Sequence, residues 1–186
     1  ARGTGFHTIG GCGHEGNAAL AAALRVNDPA LLHYRSGGFY AERARMFIES
    51  GGVGVDPLRD VLLGMVASGE DPIAGGRHKV FGSPLLHIIP QTSTIGSHLP
   101  RAVGMALAIE RARKLGVPCT YPQDALVVCS FGDASANHST AAGAINTACH
   151  CAHQHLPLPL LFVCEDNGLG ISVRTPSGWI AAAYGS

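Results

Sequence analysis

The chain has 186 residues, enough for one α/β domain with a real hydrophobic core. Hydrophobic residues make up 46%, and 13 Lys and Arg balance 13 Asp and Glu to a formal net charge of zero, without a run of like charges. This excludes a polybasic face for nucleic acid or for a membrane surface, and with no transmembrane-length apolar run, signal-peptide pattern or internal repeat the expectation is a soluble, cytoplasmic protein.

Residues 1–16 are glycine-rich and start without methionine, as a fragment or processed segment would. An Ala/Leu helix is expected over 17–26, ending before Asn27-Asp28-Pro29. Residues 31–39 read as an apolar strand end, carrying His33, Tyr34 and Arg35, that runs into a glycine turn at Gly37-Gly38. Arg35 suits an anion because a guanidinium offers a planar fork of N–H donors, and Tyr34 adds a hydroxyl; the alternative is a surface arginine. His33 either faces a substrate or is a structural histidine.

Helices are expected over 41–49 and 57–68, the latter with Leu58, Val61, Leu62, Met65 and Val66 as its apolar positions. Residues 69–82 read as a flexible basic connection containing Arg77, His78 and Lys79. A segment of small residues from Ile88 to Pro100, with Ser93 and Ile95, leads into a helix over 101–115. After a turn at 121–124, residues 125–131 form a short apolar run rich in β-branched residues that stops at Gly132-Asp133. An alanine-rich helix over 137–151 and a second apolar run over 158–164, ending at Glu165-Asp166-Asn167, complete a βαβ unit. Of the six cysteines, Cys129 and Cys164 fall inside these two runs and act there as small apolar residues; free thiols in a reducing compartment are expected.

Parallel strands in such a unit open their carboxyl ends on one crevice, so Asp133 and Asn167 converge across a long sequence separation. A carboxylate and an amide oxygen suit magnesium, which takes a few protein oxygens and keeps other positions for phosphate and water. Gly132, Ala134 and Ser135 are small enough for backbone to approach an anion at the start of the following helix. A plain βαβ unit with polar turns is the competing explanation.

Gly132-Asp133 followed by Asn167, with Tyr34-Arg35 upstream, resembles the cofactor motif of thiamine diphosphate enzymes, and most closely the α subunit of the 2-oxo acid dehydrogenase decarboxylase component, of the pyruvate or branched-chain type. The resemblance implies a thiamine diphosphate-binding fold, α/β with a parallel sheet flanked by helices, over residues 1–186, without the carboxyl-terminal part of the family's α subunit. It implies Asp133, Asn167 and the backbone carbonyl of Leu169 as magnesium ligands. Tyr34, Arg35, Ser93, Ile95, Gly132, Asp133, Ala134, Ser135 and Asn167 would hold the cofactor, and His33 and His98 are the catalytic candidates. His98 stands where the family often has Gln, and it either reaches the active site or caps its helix. Ala134 replaces the family's usual Gly, which matters only if that position needs a positive φ. Oxidative decarboxylation of a 2-oxo acid with acyl transfer to a lipoyl group is the implied activity. The implied partners are a β-type subunit, or a fused β-like half, bearing the activating glutamate, and a lipoyl-bearing acyltransferase. Glu15 is therefore expected to be structural, and a eukaryotic source would imply the mitochondrial matrix.

Two other readings stay open. One keeps the cofactor with acetoin dehydrogenase or transketolase chemistry. The other is a non-catalytic metal-binding or assembly protein centred on Cys149, His150, Cys151, His153 and His155, against which stands a spacing unlike that of standard zinc sites.

Overall fold

The computed structural model describes residues 10–77, 81–92 and 94–185. The chain divides at Thr94/Ile95 into two compact units. Each is α/β, with a parallel strand pair and helices beside it, in agreement with the expected class.

In the first unit a 3-10 turn at His14–Gly16 leads into α1 (Asn17–Ala22), followed by β1 (Ala30–Leu31), α2 (Gly37–Glu49), α3 (Pro57–Met65), β2 (Phe81–Ser83) and β3 (Ile88–Gln91). β3 is central, pairing in parallel with β1 at Ala30↔Ile88 and antiparallel with β2. Ala21, Leu32, Phe39, Tyr40, Ala44, Leu86 and Ile88 form the core. Arg43 is fully buried in this unit, and its Nη1 donates to the carbonyls of Val26, Asp28 and Leu86 at 2.8, 2.9 and 3.1 Å. One nitrogen thus ties α2 to two remote loops, and desolvation pulls the guanidinium pKa down to about 10.

In the second unit α4 (His98–Leu115) is followed by β4 (Val127–Gly132), a one-turn helix α5 (Asp133–Ala136), α6 (Ser139–His153), β5 (Leu160–Glu165), a hairpin of β6 (Leu169–Gly170) and β7 (Val173–Arg174), and α7 (Trp179–Tyr184). α4 buries Leu99, Ala102, Val103, Ala106 and Ile109 against β4 and α6, and each large aliphatic contributes roughly 1.5–3 kcal/mol. β4 is buried along its whole length, whereas β5 is only half-buried, having a strand neighbour on one side only among the described residues.

The boundaries differ from expectation for local reasons. Gly37 and Gly38 are the first turn of α2 rather than a loop, because the Asn17 side chain accepts the Phe39 N–H at 2.8 Å and supplies a cap from another segment. A β-carbon at Gly38 would lie 3.0 Å from the Glu15 carbonyl, so glycine permits this close approach. α1 stops at Ala22, and the Asp28 carboxylate organises the chain beyond it by accepting from Arg25 N–H and its guanidinium. α3 starts with Asp56 capping Arg59 N–H and Pro57 at its first position, and it ends early because Ala67 turns to φ 49°. Its apolar positions Leu58 and Leu62 are 79% and 59% exposed rather than core. α4 begins at His98 instead of residue 101, since Pro100 lies in the first turn, where no N–H is required. Much of the basic connection is ordered by Asp71, which accepts from Ile73 and Ala74 N–H, and Arg77 folds back onto Ile73 and Ala74 carbonyls. His78 and Lys79 lie outside the described residues. No helix among the described residues is long and apolar enough to cross a membrane.

Candidate functional site

β4 and β5 run parallel and in register from Val127↔Leu160 to Gly132↔Glu165. Asp133 and Asn167 therefore leave neighbouring strands at the same end, one and two residues past the last pair. Asp133 is fully buried as the first residue of α5. Its Oδ2 accepts a hydrogen bond from the Thr175 hydroxyl, while Oδ1 is buried without a hydrogen-bond partner. A buried carboxylate oxygen left unpaired is costly unless a cation or donor meets it. Asn167 Oδ1 accepts the Leu169 N–H at 3.0 Å, which orients the amide at the root of the β6–β7 hairpin.

The electrostatics at this end suit a cation. The half-buried Cys164 thiol is pushed up to about 12, first by burial and then by the carboxylates of Asp133, Asp166 and Glu165. An anionic strand end with one orphaned, desolvated oxygen fits a hard divalent ion that takes a few protein oxygens. No three His, Cys, Asp or Glu side chains come together as a metal group among the described residues. The Asp133, Asn167 and Leu169 set, one carboxylate with an amide and a carbonyl, is not of that kind.

Gly132 and Ser135 are buried on either side of this turn, and Ala134 is exposed in α5. Ala134 has no positive φ, so alanine in the family's glycine position is unstrained. Its methyl is accommodated by Gly170 on β6, where an added β-carbon would lie 2.9 Å from Ala134 Cβ. Behind the turn, buried His98 at the start of α4 bonds through Nε2 to the Ser130 carbonyl of β4 at 2.8 Å. A carbonyl only accepts, so Nε2 carries the proton, and burial lowers the pKa to keep the ring neutral. His98 thus pins α4 to β4. Ile95 is half-buried in the turn before α4. Ser93 lies outside the described residues.

In the first unit Tyr34 and Arg35 line a cavity of about 550 Å³ together with Gly37, Gly38, Asp60 and Leu85. Arg35 Nη1 donates to the Gly10 carbonyl at 2.8 Å, and the guanidinium sits 5.1 Å from the Tyr34 ring centroid. His33 is buried and stacked on His14, with ring centroids 4.4 Å apart, and its Nδ1 accepts the Arg35 N–H at 3.3 Å. It shapes the Tyr34-Arg35 segment through these contacts. Exposed Glu15 accepts the Gly13 N–H at 2.8 Å; its own N–H and that of Gly13 hold its carboxyl below the usual range.

The Cys/His cluster does not assemble. α6 ends at His153, His155 turns to φ 55°, and Cys151 is buried while Cys149 is exposed. All six cysteines are free. The residue that sequence reasoning missed is Thr175: a lone Thr-Pro beyond the motif has no periodic signal, and only the hairpin brings it to Asp133.

A family described as the dehydrogenase E1 component matches residues 17–184. The mitochondrial 2-oxoisovalerate dehydrogenase subunit alpha of Mus musculus is 28% identical over 165 residues, which is 88% of this chain and 32% of that protein. The corresponding protein of Homo sapiens is 30% identical over 166 residues, again 88% and 32%. The 2-oxoisovalerate dehydrogenase subunit alpha of Bacillus subtilis is 31% identical over 117 residues, 62% of this chain and 31% of the relative. The chain spans about a third of the length of these curated relatives. The match runs through both units and includes the Asp133 turn, the Asn167 strand end and the Tyr34-Arg35 segment; the chain belongs to the dehydrogenase E1 component family.

Proposed function

We propose that this chain supplies the diphosphate- and magnesium-binding half of a thiamine diphosphate-dependent 2-oxo acid decarboxylase that passes the acyl group to a lipoyl arm. The observation that carries this reading is the buried, unpartnered Oδ1 of Asp133 at the shared end of two parallel strands. Asp133 and Asn167 would hold the magnesium ion through their side chains and Leu169 through its carbonyl. Arg35 and Tyr34 would bind the diphosphate by a charged N–H fork and a hydroxyl. Bound thiamine diphosphate supplies the electron sink that decarboxylation of a 2-oxo acid requires. The protein side contributes position and charge: His33 orders the Arg35 backbone, and His98 holds α4 on β4 behind the Asp133 turn.

Partners in this reading are a β-type subunit, or fused β-like half, carrying the activating glutamate, and a lipoyl-bearing acyltransferase. In this reading Glu15 is structural, its carboxylate accepting the Gly13 N–H at 2.8 Å. Calorimetric titration of thiamine diphosphate into the partnered protein, with and without magnesium, tests the reading. Magnesium-dependent binding lost in Asp133→Ala and Asn167→Ala is the expected result. A folded, partnered wild type that binds no thiamine diphosphate refutes it.

A further inference from the structure

We propose that Thr175 is the positioning residue for the Asp133 carboxylate, holding it so that Oδ1 is presented to the metal; this rests on the reading of Asp133 as a metal ligand. Among the described residues the Thr175 hydroxyl is the only hydrogen-bond donor to the Asp133 carboxylate. The carboxylate lies in the first turn of α5, where backbone N–H groups lack helical acceptors. A carboxylate free to rotate there turns toward those donors and uses up the oxygen a cation needs. Donation from Thr175 to Oδ2 fixes the rotation and leaves Oδ1 buried and unpartnered.

Thr175 is itself fixed by two features of the hairpin. Its backbone N–H donates to the Gly168 carbonyl at 3.1 Å, directly after Asn167. Gly170 packs so closely on Ala134 that no β-carbon fits between them. Thr175 thereby couples the Asp133 turn after β4 to the Asn167 end of β5, so that both ligand side chains are set by one short hairpin.

The test compares Thr175→Val, which keeps the shape and removes the donor, with Thr175→Ser, which keeps the donor. Mn2+ serves as the probe, followed by the electron paramagnetic resonance of the free ion in the partnered protein with thiamine diphosphate present, and thermal unfolding is recorded without metal. Thr175→Val should raise the Mn2+ Kd by about tenfold or more, and Thr175→Ser by less than about threefold, as for other residues that orient a metal ligand. A wild-type Kd in Thr175→Val overturns the proposal, as does an equal loss in both variants. So does a Thr175→Val that unfolds at lower temperature yet binds Mn2+ normally, the mark of a purely structural residue. Asp133→Ala separates the two levels. If it binds Mn2+ as wild type does, the metal reading itself fails; if it loses binding while Thr175→Val does not, only the role of Thr175 fails.

Discussion

Replacing Gly170 by alanine puts a methyl into a gap that Ala134 already fills. A β-carbon at 170 lies 2.9 Å from Ala134 Cβ, against about 3.5–4.0 Å for carbons in good contact, so α5 and β6 must part by roughly 0.6 Å or more. Neither side is the flexible end of a long side chain, and forcing extra volume into such a site costs about 1–3 kcal/mol. Gly170 has no positive φ, so the backbone itself admits alanine and the overlap alone carries the effect. Urea denaturation of Gly170→Ala, Ala134→Gly and the double variant measures it. Gly170→Ala should lose about 2 kcal/mol, Ala134→Gly at most about 1 kcal/mol, and the double variant should recover most of the Gly170→Ala loss, a coupling of about 1–2 kcal/mol. A Gly170→Ala within about 0.5 kcal/mol of wild type, or strictly additive losses, refutes the close packing of hairpin on turn.

Two further outcomes follow from buried polar groups. His98 is held neutral by burial with its pKa below the ordinary 6.5, so the unfolded chain binds this proton more readily than the folded one; the stability it contributes is complete above 6.5 and is lost as the pH falls through that value toward the lowered folded pKa. His98→Gln, whose amide N–H can meet the Ser130 carbonyl without titrating, should reduce the slope of unfolding midpoint against pH just below the ordinary histidine value; His87 shifts in the same direction and leaves a residual slope. An unchanged slope contradicts the assignment. Arg43→Met removes the donor shared by three carbonyls and should cost about 3 kcal/mol in thermal or urea unfolding, with Arg43→Lys recovering part of it; a Met variant as stable as wild type shows that those bonds do not hold α2.

β4 and β5 of the second unit were legible from local pattern alone. Residues 125–131 and 158–164 are short apolar runs stopped by Gly-Asp and Glu-Asp-Asn, and the structure pairs them in parallel register with Asp133 and Asn167 at one end. That result needs only local preference and the burial of β-branched side chains. Family membership was likewise readable from a few motif residues, and the matched family bears it out.

What the sequence could not determine depends on partners far along the chain. The start of α2 is decided by Asn17, 22 residues before the N–H it caps. The burial of Arg43 follows from carbonyls 15, 17 and 43 residues away, and α3 buries none of its residues. Thr175 reaches Asp133 across 42 residues, and the Ala134 methyl is tolerated because Gly170 faces it. By itself the sequence determined the α/β class, the two motif strands and the residues at their ends, because those rest on local pattern. Only the tertiary structure decided which oxygen of Asp133 is left for a ligand and what holds it there, because a hydrogen bond between a strand end and a distant hairpin leaves no trace in local pattern.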